Sequence, residues 1–276
     1  MNEKLTLEEI HSVTLCVLKK VIDICDKLNI NYYMAYGTLI GVVRHNGFIP
    51  WDDDCDITMC RPDYEKFVSY CDSHAEELYP YKLLSKTNTN NYPYNIVRFN
   101  DMRYKAVYEN TQSYDSGVFI DIYPLDGIDI SDPALIKKIN QKRKFLKTMI
   151  IWATDDHFEK SKHNKWYRTM IKYIARSWAK TMGGRYFLDK LENLKNTFDY
   201  DACSYVGDMV WDFSTVPLKK EWFDDYLFAD FEGVKVKIPH DYDSFLKVYY
   251  GNYMELPPEN QRVASHFYAI YRRDGL

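Results

Sequence analysis

An α+β fold, a mixed sheet flanked by helices with a largely helical basic annex, is what this sequence predicts, on three features. Apolar residues recur at helical spacing near the N-terminus. Apolar and polar residues alternate twice around acidic side chains, at 54–59 and 118–123. After Pro133 helical spacing returns with a strong basic excess, before strand-like composition resumes near residue 200. A chain of 276 residues can bury one substantial core, or one core with an annex.

Thr6 and Glu9 have the spacing of a capping box. Ile10, Val13, Val17, Val21, Ile24 and Leu28 then repeat every three or four residues, which predicts one amphipathic helix over 6–28. Aromatic residues crowd 32–36 as a short buried strand, and the apolar run 39–43 opens a helix after Gly37-Thr38. His45-Asn46-Gly47 reads as a turn. In the strand that follows, Asp54, Asp56 and Thr58 share one face while Cys55, Ile57 and Met59 share the other. Pro62 suits a first helical turn, so a helix runs from there to about residue 78.

Strand-like runs at 94–99 and 105–108 are separated by Asn-rich turns, and Arg98 and Arg103 are assigned to a solvated strand face, with contact to a phosphate as the alternative. In 118–123, Val118, Ile120 and Ile122 point one way and Asp121 the other; Asp126, before Gly127, reads as a turn residue. Between Pro133 and Lys190 there are 15 Lys and Arg against 4 Asp and Glu. Within 166–182, Tyr167, Ile171, Ile174, Trp178 and Met182 form a stripe opposite Arg168, Lys172, Arg176 and Lys180. A solvated helix lying over the core is the first reading; a face for anionic lipid or an anionic glycan carrier is the second.

Gly183-Gly184 ends that helix and 185–198 forms another. Residues 200–211 and 227–238 are strand-like, Glu232-Gly233 suggests a hairpin, and Asp241 or Asp243 caps a helix that stops at Gly251. The aromatics of the loop 250–258 form a ligand wall or simply pack, and His266 reads as a core histidine.

The densest chemistry lies at Trp51-Asp52-Asp53-Asp54-Cys55-Asp56. Carboxylates held side by side repel, and one must protonate unless a cation sits between them. Oxygen-only ligands suit Mg²⁺ or Mn²⁺. Asp121, a lone acid in an apolar strand, is too costly to bury unpaired, so it completes the metal site as a third carboxylate, with a buried ion pair as the alternative. Gly37-Thr38 at a strand-to-helix junction offers backbone N–H groups and a hydroxyl to a phosphate, and Arg44 offers a planar fork. An ordinary helix cap and a surface arginine are the bland alternatives. The residues by themselves lead to a metal-assisted phosphoryl-transfer site and no further.

A net charge of −4 and a pI near 6.0 give no support to nucleic-acid binding, and 46% apolar with 16% aromatic residues excludes a largely disordered chain. The first residues lack a charged-then-apolar signal pattern and no apolar run approaches a membrane span, so a cytoplasmic location is expected. The six cysteines form no Cys-x-x-Cys pair and read as reduced thiols.

The run Gly37-Thr38-Leu39-Ile40-Gly41-Val42-Val43-Arg44-His45, continued by Gly47-Phe48-Ile49-Pro50-Trp51-Asp52-Asp53-Asp54 and Asp56-Ile57, resembles the signature of the LicD/fukutin-related family. Residues 117–127, Ile238-Pro239, Asp241-Tyr242 and 250–258 match it too, so the resemblance covers most of the chain and is weakest in the middle. It implies sugar-modifying phosphotransferases on a nucleotidyltransferase-type fold. The parts expected are a nucleotidyltransferase-like catalytic core at 1–130, a basic helical insertion at 131–199, and a C-terminal part at 200–276 that completes the core and substrate pocket.

The implied reaction transfers a phospho-alcohol group from a CDP-activated donor to a hydroxyl of a glycan or lipid-linked glycan, as in lipopolysaccharide or teichoic acid synthesis, releasing CMP. By position, Asp54, Asp56 and Asp121 match the metal carboxylates, while Gly37, Thr38 and Arg44 match the donor-phosphate segment. Trp51, Asp52 and Asp53 belong to the same motif. Phosphocholine from CDP-choline is preferred over ribitol or glycerol phosphate, because 25 tyrosines and 6 tryptophans allow an aromatic cage for a quaternary ammonium. Contact of the basic helices with the inner face of a membrane extends this expectation. The competing readings are a nucleotidyltransferase that releases pyrophosphate and a non-catalytic glycan- or lipid-binding protein.

Overall fold

A computed structural model describes residues 3–108, 114–154, 166–263 and 268–274. The capping box predicted at the N-terminus is formed: the Thr6 hydroxyl accepts the Glu9 backbone N–H at 3.3 Å, and the Glu9 carboxylate accepts the Thr6 N–H at 2.9 Å. It opens α1 (Leu7–Leu28), which ends where Asn29 turns left-handed. There follow β1 (Tyr33–Met34), α2 (Tyr36–His45), β2 (Asp56–Cys60), α3 (Arg61–Ser73), β3 (Tyr81–Leu84), β4 (Val97–Asp101), β5 (Tyr104–Tyr108) and β6 (Val118–Ile128). The annex is α4 (Pro133–Thr154), α5 (Trp166–Met182) and α6 (Gly184–Glu192). The chain returns through β7 (Tyr205–Gly207), β8 (Leu218–Lys219), β9 (Tyr226–Phe231), β10 (Val234–Pro239), α7 (Tyr242–Tyr250) and β11 (Tyr268–Arg272).

The main sheet runs β1-β2-β6-β4-β3, with β7 and β8 continuing from the far end of β6. Among the described residues only β2 and β6 pair in parallel, so the sheet is mixed, as the sequence predicts. All of β6 is buried, which suits a strand paired on both edges, and α1 and α3 pack against it. β9 and β10 form the predicted hairpin through Glu232 (φ 51°) and Gly233 (φ 73°), the left-handed pair that a tight two-residue turn needs. Its tip grips the loop before β2: Glu232 accepts the Phe48 N–H at 3.1 Å, and its own N–H donates to the Asn46 carbonyl at 3.0 Å. Gly41 lets α2 lie on the same loop, since a Cβ there would stand 2.5 Å from the Gly47 carbonyl oxygen.

The annex has its own apolar cluster, in which Ile139, Leu146 and Met149 of α4 meet Phe187, Leu188 and Leu191 of α6. It is tied to the rest by Arg143, fully buried, which donates to Asp208 at 2.9 Å, to the Asp212 carbonyl at 2.8 Å and to the Thr215 hydroxyl.

Three expectations are corrected. Asp126 is no turn residue: it lies inside β6, 1% exposed, and accepts from Arg61 at 2.6 Å, because strand β7 extends the pairing beyond Leu125. Arg98 is not on a solvated face, since β4 is buried between β3 and β6. The stripe of α5 does not cover the core. Ile171 and Ile174 are 62% and 61% exposed, whereas Ala179 and Arg176 on the other side are buried, because α4 and α6 already fill the annex core. Tyr167 and Arg168, counted in that pattern, and His266 lie outside the residues whose side chains are described.

Candidate active site

Parallel register sets Asp56 of β2 directly beside Asp121 of β6, so the two acids that alternation placed on strand faces share one face of the sheet. The Asp121 N–H donates to the Cys55 carbonyl at 3.0 Å, which fixes the strands at that level. Asp56 is 7% exposed and its Oδ1 is buried with no hydrogen-bond partner. Burial first, then the charges of Asp54, Asp121 and Asp52, hold its carboxyl well above the usual aspartate range, against a smaller opposing pull from Arg98. Asp54, half-buried, is thus one of three acids crowding this position.

The first turn of α2 closes on the same point. Thr38 is buried, and its hydroxyl accepts the Asp56 N–H at 2.8 Å, so the predicted phosphate-binding threonine also anchors the acidic strand. Gly37 packs against Asp52, whose Oδ2 would lie 3.1 Å from a Cβ at that position. The loop carrying Trp51, Asp52 and Asp53 is held from outside: His11 bonds the Asp52 carbonyl at 2.6 Å and stacks on Phe48, while the Tyr268 hydroxyl donates to the Asp53 carbonyl at 3.0 Å.

Arg44 is placed differently. It sits seven residues beyond Gly37, about 10 Å further along α2. There it donates to the carbonyls of Tyr253 at 2.9 Å and Glu255 at 3.3 Å, holding the loop after α7 to α2.

Asp121 carries the main surprise. Arg98, its register partner on β4, donates from Nε to Oδ1 at 2.6 Å and from Nη2 to Oδ2 at 3.1 Å, a two-point pair with both side chains under 10% exposed. The guanidinium also donates to the hydroxyls of Tyr108 and Tyr114 and lies over the rings of Phe119, 4.0 Å from its centre, and Tyr94, at 4.5 Å. The buried ion pair offered as the alternative for Asp121 is therefore present. The expected three-carboxylate ligand set is not assembled, and among the described residues no three His, Cys, Asp or Glu side chains stand close enough together to hold a metal ion. The physical reason is that Arg98 is inside the sheet, where it satisfies Asp121 in a way a solvated arginine would not.

A hard cation nevertheless fits at Asp56. An unpartnered buried carboxylate oxygen, crowded by further acids, is relieved by a divalent ion, and the donors present are oxygens. Asp121 accepts two hydrogen bonds from Arg98, which leaves about two of its roughly four lone-pair sites.

Aromatic rings line the same face. Tyr123, two residues beyond Asp121, meets Tyr36 with ring centres 5.0 Å apart and Trp211 at 5.7 Å, and Tyr36 meets Tyr249 at 5.2 Å.

The LicD/FKTN/FKRP nucleotidyltransferase domain is matched by residues 29–132, a span that contains α2, the acidic loop, β2 and β6. Over 277 residues, 98% of this chain and 99% of the other, the sequence is 28% identical to the lipopolysaccharide cholinephosphotransferase LicD of Haemophilus influenzae. Shorter matches join this chain to uncharacterized proteins of Rickettsia prowazekii, 34% identical over 83 residues (30% of this chain, 28% of that one), and Rickettsia typhi, 45% over 47 residues (17% and 15%).

The Thr38 hydroxyl is the acceptor for a buried N–H, so Thr38→Val should destabilise the fold by about 1–3 kcal/mol and Thr38→Ser by much less. Urea denaturation of the two variants checks this; equal stabilities would contradict it.

Proposed function

We propose that this protein transfers phosphocholine from a CDP-activated donor to a hydroxyl of a lipopolysaccharide glycan, releasing CMP. The observation that carries the reading is the Asp56–Asp121 register pair, with an unpartnered oxygen on Asp56, in a chain alignable over almost its full length with a protein named lipopolysaccharide cholinephosphotransferase. Asp56, with Asp54 beside it, would hold Mg²⁺ or Mn²⁺, the donor's phosphates and water completing the ion's shell. When bound, the ion neutralises the donor's diphosphate. The backbone N–H groups at the start of α2, beside Gly37 and Thr38, bind a phosphate through the positive end of the helix. Arg98 fixes the orientation of Asp121, which receives the proton of the acceptor hydroxyl. The new bond joins that oxygen to phosphorus, and the bond from phosphorus to CMP breaks in line with it.

Choline is favoured over a polyol by the rings of Tyr36, Tyr123 and Trp211 on the face that carries the acids, since ring faces attract a quaternary ammonium. The test is incubation with CDP-choline, Mg²⁺ and lipopolysaccharide. CMP and choline-labelled glycan are the expected products; a nucleotide-tagged glycan with pyrophosphate from CTP, or tight glycan binding with no turnover, would overturn the reading.

A further inference from the structure

Helix α5 wears its apolar side chains outward. Met170, Ile171, Tyr173, Ile174, Trp178 and Met182 are each 38–63% exposed, while Ala179 and Arg176 are buried at 0% and 8%. At helical spacing those six fall within about half the circumference. From Met170 to Met182 the strip runs about 18 Å along the 17-residue helix. A helix that only covered a core would show the reverse arrangement; here Trp178, one of the six, keeps an edge on the annex core, 5.4 Å from Phe187 between ring centres.

Charge identifies the occupant. Residues 166–182 contain four basic side chains and no acidic one; Arg176 is buried on the opposite side, so the charge around the strip is that of the basic annex as a whole. A second copy laying the same helix on this face would bring like charge against like charge. An apolar surface bordered by negative charge complements it, and a bilayer containing anionic lipids has that character. Trp178 and Tyr173 are the residue types that settle at the boundary of hydrocarbon and water. Among the described residues no helix is long and apolar enough to cross a membrane, so the contact suggested is peripheral.

We propose that α5 lies in the interfacial plane of an anionic bilayer with its apolar arc toward the acyl chains. The inference rests on α5 alone and is independent of the chemistry at Asp56.

Flotation of the full chain with phosphatidylcholine vesicles, with and without phosphatidylglycerol, tests it. Binding is expected only when phosphatidylglycerol is present, with a blue shift of tryptophan emission and weakening as salt is raised. Ile171→Asp/Ile174→Asp should lower the bound fraction about tenfold or more. Both positions are exposed, so circular dichroism and the thermal midpoint should not change; Ile171→Ser/Ile174→Ser is the milder variant should the first fold poorly. Three outcomes would overturn the proposal: no binding to phosphatidylglycerol vesicles, equal binding by wild type and variant, or a dimer of the wild type that the double substitution turns into monomer.

Discussion

Asp56→Asn is expected to lower turnover about 100- to 1000-fold while making the metal-free protein more stable. The two effects share one cause. The folded state holds the Asp56 carboxyl well above its ordinary value through burial and then through Asp54, Asp121 and Asp52. The native protein therefore keeps a proton that the unfolded chain releases. Stability from this group is complete at low pH and declines as pH rises through the interval between the unfolded and folded values. Asn carries no charge to desolvate, so the variant should gain about 1–3 kcal/mol over wild type at the alkaline end, roughly 2–4 °C in midpoint per kcal/mol for a chain of this size.

Thermal melts of both proteins in EDTA from about pH 5 to about pH 9 should diverge as pH rises. Adding Mg²⁺ should recover the difference for wild type only, because metal binding displaces the proton. A gap that ignores pH, or a variant that still turns over, would remove Asp56 from the role given to it. The measurement also separates metal binding from catalysis, since Mg²⁺-dependent stabilisation needs no donor or acceptor.

What the sequence made legible divides along physical lines. Local rules carried far: the Thr6–Glu9 capping box, the Glu232-Gly233 turn and the Asp241 cap each follow from interactions within a few residues, and each is present. The period-two pattern placed Asp56 and Asp121 on strand faces correctly, and parallel pairing then put them side by side. Partner choice across the chain was hidden. Nothing near Arg98 reveals that β4 is inserted beside β6, and nothing near Asp126 reveals that β7 extends the strand far enough to bury it beside Arg61. The burial of Arg98 and of Asp126 depends on strand order, which no local period encodes. The α5 stripe misled for a related reason: a hydrophobic period marks a face that avoids water, and it does not say what covers that face.

Arg98→Met should destabilise the protein by about 3–5 kcal/mol, because it leaves the Asp121 carboxylate buried without its two-point partner. Methionine keeps much of the apolar stem that packs on Phe119 and Tyr94, so most of the loss belongs to the charge. Arg98→Lys retains the charge but cannot donate along two parallel lines or also serve the hydroxyls of Tyr108 and Tyr114, and should recover only part of the loss. The decisive comparison is Arg98→Met/Asp121→Asn. If the pair acts as a unit, the double variant is more stable than Arg98→Met alone, since the uncompensated charge is gone. Urea denaturation of wild type, the two single variants and the double variant yields the coupling. Strictly additive losses would mean that Asp121 is neutralised by something other than Arg98. Activity separates the roles further: the double variant should fold and still fail to turn over, because the stability regained through Asp121→Asn does not return the carboxylate proposed to receive the acceptor's proton.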